Sequence, residues 1–196
     1  MAERSVLLEI AAAVLLGIAA LLTALCAYQA NEVGGDASAA SSASSQALID
    51  ANFYFGRGNA TLQFDKQVFL SYVNALNAHD EQAAKLIDDT VMSDELRDGI
   101  KDLKDHPDIF DDDDSPYFVE DINDAEEQQA LAERLLAGSG RLGDQASQYQ
   151  ISAVLFSVTL FFSGIATLFK TAAITLPMLA VAGAALVAGG AFALTA

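Results

Sequence analysis

Three stretches of the chain carry no charged residue: 10–28 ("IAAAVLLGIAALLTALCAY"), 151–169 ("ISAVLFSVTLFFSGIATLF") and 171–196. A helix rises 1.5 Å per residue, so 19 residues span about 28 Å, close to the ~30 Å hydrocarbon core of a bilayer. The pattern predicts three transmembrane helices, the last two forming a tight hairpin that turns at Lys170. Burying three such runs in a water-soluble core would need a far larger polar shell than residues 29–150 supply.

Between the first and second runs the period becomes amphipathic. Residues 66–87 place Val68, Phe69, Tyr72, Val73 and Leu76 at helical spacing. Residues 93–104 open on Ser-Asp-Glu and align Leu96, Ile100 and Leu103, a second short helix. The segment "DHPDIFDDDDSPYF" breaks the pattern with two prolines and reads as a loop. From Asp121 to Gln150 no proline occurs, predicting a long helix into the second span with an interruption at "GSGRLG". The Ala/Ser stretch 37–47 extends helix one outward, with Gly34 and Gly35 as its weak point. The fold class is therefore all-α: residues 1–29, 151–169 and 171–196 in the membrane, and 30–150 as a helical insert. Its expected core gathers Phe53, Tyr54, Phe55, Phe64, Phe69, Tyr72 and Phe110, with Leu131 and Leu135 opposite.

Side-chain size and polarity divide the three spans into faces. On span two, Ser152, Thr159, Ser163 and Thr167 fall within about 80° of arc, opposite Val154, Val158, Phe161, Ile165 and Phe169. The hydroxyls are expected to face protein and the bulky side chains lipid. Span three carries the ridges Ala180, Ala184, Ala188 and Ala185, Gly189, Ala193; span one carries Ala13, Gly17, Ala20 and Ala24. Small ridges let helix backbones approach closely, so a compact bundle with surplus surface for self-association is expected.

Charge sets the orientation. The chain has 27 acidic and 10 basic residues, and residues 31–150 hold 25 and 8 of them. Outside that segment stand only Glu3, Arg4, Glu9 and Lys170. Short cytoplasmic flanks favour Lys and Arg. With Arg4 inside, Lys170 returns to the same side, and 30–150 lies outside the cell membrane. A cleaved signal peptide fits less well: the apolar region is too long, Glu9 interrupts its start and no A-x-A site closes it. Leu25 before Cys26 argues against a lipoprotein site.

Candidate chemistry is sparse. Asp108, Asp111, Asp112, Asp113 and Asp114 offer carboxylates for a weak cation site, yet they lack the glycine turn and distal glutamate of a calcium loop. His79 and His106 have no partner at ligand spacing. Asn59-Ala60-Thr61 is a glycosylation sequon by pattern. Neither a phosphate loop, a dinucleotide fingerprint nor a G-x-S-x-G elbow occurs, and the expectation is a protein that is not an enzyme and carries no cofactor. So acidic an insert repels nucleic acid. It suits cations, a basic partner or strong salt, in which the screening length falls to ~3 Å at 1 M.

The segment "LEIAAAVLLGIAALLTALCAYQAN" resembles the first span of small prokaryotic three-helix membrane proteins known only as a domain of unknown function. Their second span is similar to Tyr149, Ala153, Leu155, Phe156, Leu160, Phe161, Phe162, Gly164 and Ile165 here. An aromatic helix like 66–78 and a loop like "SPYF" lie between. The chain departs in lacking tryptophan and in its greater acidity. The resemblance implies a three-helix membrane protein with an exported insert, and it supplies no activity.

The sequence thus leads to a self-associating structural or interaction protein in the bilayer, alone or with another membrane protein. A small channel or transporter accessory using the hydroxyl stripe and Glu9 is the alternative. A cation-responsive sensor is the third.

Overall fold

In a computed structural model the chain is described over residues 2–101, 109–110, 117–169 and 171–196. Among the described residues there are five helices and no strand: α1 (Ala2–Asn77), α2 (Glu81–Thr90), α3 (Asp94–Lys101), α4 (Glu120–Ala166) and α5 (Ala172–Thr195). Three of them, α1, α4 and α5, are long and apolar enough to cross a membrane.

The first proline of the chain is Pro107, so nothing covalent interrupts α1. Gly34 and Gly35, the expected weak point, lie inside it unbroken. Each glycine costs about 1 kcal/mol of propensity, but Gly34 packs close to Ala146, whose Cβ stands 3.8 Å from where a methyl would project. The interruption expected at "GSGRLG" is likewise absent, for α4 passes through Gly138, Gly140 and Gly143. The helix expected over 66–87 is divided. Its first half completes α1, and the chain reverses at His79, which takes a left-handed φ of 59°. Asp80 then caps α2, its carboxylate accepting from the Ala83 N–H at 3.0 Å.

The chain divides into two units, Met1–Ala43 with Leu135–Ala196, and Ser44–Arg134. In the first, here the apolar unit, α1 and α4 run antiparallel. Ser139 Oγ donates to the Ala37 carbonyl at 2.8 Å, and a methyl on Gly164 would lie 3.5 Å from Leu16 Cδ1. Ala12, Ala19, Cys26, Ala30 and Ala37 are buried along α1 at steps of seven and four, the 3.5-residue period of a coiled-coil seam.

The second, acidic unit has 22 acidic and 7 basic residues. Its α1 portion meets the start of α4 antiparallel: Ser44 Oγ donates to the Ala132 carbonyl at 2.8 Å. Gly58 sits so close to Ile122 that a methyl there would come within 2.7 Å of its side chain. The core consists of Val68, Met92, Leu96, Ile109, Tyr117 and Val119, flanked by Leu62, Phe69, Tyr72 and Phe110. Edge-to-face rings link Phe69, Phe110 and Tyr117, with centroids 5.6 and 5.0 Å apart. Arg97 joins α2 to α3, donating to Asp88 at 2.9 Å and to Asp94 at 2.5 Å. Part of the expected aromatic core lies elsewhere. Phe53, Phe55, Phe64 and Leu131 are exposed, because the α1 seam through Ala47, Ala51, Gly58 and Val68 turns those rings away from α4.

Candidate packing site among the apolar helices

The predicted packing residues sort sharply by position. Ser152, Thr159 and Ser163 are all fully buried on one side of α4, with Phe156 and Ala166 completing the line. In a helix, hydroxyls commonly bond back to the preceding turn. Ser152 Oγ does so to Gln148 at 2.9 Å. Thr159 does more: its Oγ1 reaches Leu155 O at 3.2 Å within α4 and Ala182 O at 3.1 Å across on α5. Ser163 Oγ is buried with no hydrogen-bond partner among the described residues. Thr167 falls past the end of α4, exposed, and donates to Gly164 O at 2.6 Å.

Gly189 is the tightest point. A methyl there would lie 2.8 Å from the Phe156 ring and 3.2 Å from Leu155 Cβ, so the ring occupies a notch that only glycine leaves open. The ridge Ala185, Gly189, Ala193 therefore faces protein, and Ala182 is buried beside it. Ala184 and Ala180 point outward. Gly17 also points outward, with open space around it, as do Ala13, Ala20 and Ala24. Span one buries the neighbouring line Ala12, Ala19 and Cys26 instead. That line escaped the sequence reading, as did the packing of Phe156 against Gly189; the signal that identifies the line is the seven-residue repeat of small side chains.

A cavity of about 380 Å³ opens among α1, α4 and α5, walled by Leu22, Cys26, Gln29, Tyr149, Phe156 and Gly190. At the far end of the hairpin, Thr175 Oγ1 donates to Phe169 O at 3.0 Å and ties the first turn of α5 to the residues after α4. Lys170 lies outside the described residues.

In the acidic unit the most distinctive polar group is Asp65, 2% exposed. Its Oδ2 accepts from Ser93 Oγ and from the Tyr117 hydroxyl, each at 3.1 Å. Ser93 Oγ in turn accepts from the Leu96 N–H at 3.1 Å, so one carboxylate anchors the start of α3 to α1. Burial, then the nearby Asp65 charge, pushes the Tyr117 hydroxyl well above the usual tyrosine range. Arg57 grips Asp121 with two donors, Nε at 2.7 Å and Nη2. That hydrogen-bonded pairing holds Asp121 below the ordinary carboxylate range and raises Arg57.

The predicted cation ligands Asp108, Asp111, Asp112, Asp113 and Asp114 lie outside the described residues, as does His106. His79 is exposed at the α1–α2 reversal, its Nδ1 3.2 Å from Asn77 O. Among the described residues no three His, Cys, Asp or Glu side chains converge as a metal site. Among the described residues this geometry locks helices together. No family model, curated protein or solved structure matches the chain.

Proposed function

We propose that this chain is a non-enzymatic multi-pass protein of the cell membrane, with a cytoplasmic N-terminus and residues 30–150 displayed outside. There it acts as a self-associating structural or interaction protein. One observation carries the reading: the apolar unit is inverted in size. Its buried residues are mostly alanine, glycine, serine and threonine, whereas Leu21, Phe161, Leu168, Val187 and Leu194 are 75%, 62%, 78%, 73% and 90% exposed. A protein in water buries its large apolar side chains. In lipid that preference has no driving force, and helices associate through small residues and interhelical hydroxyl bonds. The resemblance to three-helix membrane proteins of unknown function agrees with this arrangement.

Two measurements test it. The full chain should resist alkaline carbonate extraction and remain with the membrane pellet. Protease added to intact cells should cut within 30–150, while inverted vesicles protect that segment. A soluble full-length chain overturns the membrane reading, and the opposite protection pattern overturns the orientation. A channel or transport accessory is favoured by the unpartnered Ser163 hydroxyl. Ion flux through liposomes holding the purified protein, diminished by Ser163→Ala or Glu9→Gln, would establish it.

A further inference from the structure

We infer that the acidic unit pairs with a second copy of itself, in parallel, through the outer face of α1 around Ile49 and Phe53. This rests on the membrane reading above, because anchorage in one bilayer is what orients two copies alike.

The face is built for a helix. Ile49, Phe53, Gly56 and Ala60 follow one another at i, i+4, i+7 and i+11, the spacing by which helices pack along a seam. All four are exposed. The buried seam of the same helix, through Ala47, Ala51 and Gly58, lies on the opposite side. Within this unit α1 thus carries two seams, and α4 covers one. The open one alternates bulk with absence of bulk. Ile49 and Phe53 are 61% and 62% exposed, while Gly56 has nothing within 4 Å of the position a methyl would take. Phe64, exposed four positions beyond Ala60, continues the same face.

Its extent argues for a partner. A buried aromatic side chain contributes 150–250 Å², so half-exposed Phe53 and Phe64 with Ile49 present on the order of 300 Å². Patches of a few hundred Å² on a monomer are often functional. A standard soluble interface takes about 800 Å² from each partner. Here the small residues around the rings add area, and confinement to one membrane lowers the affinity required.

Charge selects the occupant. The unit carries 22 acidic against 7 basic residues, yet between Ser44 and Phe64 the only charged residues are Asp50 and Arg57. Arg57 is held by Asp121. A basic ligand would seek the acidic surfaces of α2, α3 and α4 rather than this neutral strip. Two copies, each strongly negative, meet with least repulsion along it. In a parallel pair each residue faces its own counterpart, so Phe53 meets Phe53 of the second copy.

The test uses the full-length chain in phosphatidylcholine liposomes, on a Cys26→Ala background that fits the alanine seam. Phe53→Cys should oxidise to a disulfide-linked dimer at least tenfold faster than Glu127→Cys on the acidic surface of α4. Dimer yield should rise between 0.1 and 1 M salt as the screening length shortens from ~10 to ~3 Å. Ile49→Glu with Phe53→Glu should abolish dimer detected by amine cross-linking. Both positions are exposed and glutamate is the better helix former, so far-ultraviolet circular dichroism should be unchanged. If the dimer survives the glutamates, copies meet elsewhere: this inference fails and self-association stands. If the parent chain is monomeric at every salt concentration, both fail. Equal rates at Phe53→Cys and Glu127→Cys also overturn the seam.

Discussion

The two units of this chain draw on the same helices α1 and α4, line both with small seam residues, and differ in whether large side chains gather into a core. The acidic unit hides Val68, Met92, Leu96 and Ile109 and turns carboxylates outward. The apolar unit hides Ala12, Ala19, Ala37, Ser152 and Thr159 and turns leucine and phenylalanine outward. One helix can do both because period and burial are separate properties. The seam of α1 keeps its seven-residue repeat and its mostly small residues in each unit, while large buried side chains appear where α2, α3 and the segments at Ile109 and Tyr117 pack beside Val68. What the exterior is made of then decides which side chains are worth hiding. Polar groups follow the same division. In the acidic unit a buried carboxylate is satisfied by two hydroxyls, whereas in the apolar unit hydroxyls bond backbone carbonyls across and along helices.

Five sets of variants strain this contrast, the first four in order of falling effect. Leu96→Ala empties a fully buried position of the acidic core and should cost 2–5 kcal/mol by the usual large-to-small scale, read as a lowered urea midpoint. A leucine of the apolar unit such as Leu194 should lose little on the same change, since it is 90% exposed. Equal losses would break the comparison. Gly189→Ala should then cost about 1–3 kcal/mol through overpacking against Phe156, while Gly17→Ala, with open space around it, should be neutral or slightly stabilising. Unfolding in mixed micelles separates the two.

Tyr117→Phe removes a hydroxyl from a buried carboxylate, a loss of about 1.5–3 kcal/mol. The pH dependence has a definite sign. Because the folded state raises the Tyr117 pKa, its contribution is whole below the unfolded value near ~10 and is lost as pH rises through the folded one. The parent protein should therefore weaken in strong alkali by an amount the phenylalanine variant lacks. The smallest energetic change is Thr159→Val, which deletes the bond to Ala182 and should cost about 0.6 kcal/mol.

A final pair sharpens the electrostatic side. Asp121 is lowered by Arg57, so its stabilisation exists above the unfolded carboxylate value of about 3.9 and disappears as pH falls through the folded value. Asp121→Asn should lower stability at neutral pH, and the gap from the parent should close in acid. Added salt should narrow it too, as for any exposed ion pair.

Much of this arrangement was legible in the residues. Long uncharged runs announce α5 and the apolar parts of α1 and α4 because absence of charge needs no partner to interpret. Ser93 before Leu96 announced the start of α3 by its capping chemistry. The seam of α1 was harder to see. An alanine that is buried and an alanine that is exposed look alike on any apolarity scale, so Ala12 and Ala13 could not be told apart until Cys26 and Ala37 fixed the phase. The aromatic cluster misled for a related reason. Phe53 and Phe64 invite a core, yet a single helix from Ala2 to Asn77 leaves them no freedom to turn inward. Gly189 was singled out as small; its partner Phe156 is 33 positions earlier, a distance no local pattern spans.

The regular intervals in the apolar unit also govern how its length can change. Between Ala30 and Ala37 on α1, and between Ser139 and Ala146 on α4, one full repeat separates equivalent positions. Excising both sevens together would shorten the antiparallel pair by about 10 Å and leave alanine facing alanine. Excising a single amino acid would swing everything beyond the cut by about 100° and bring leucine where only a methyl fits. Growth and trimming of this protein are thus permitted in whole steps, never by one.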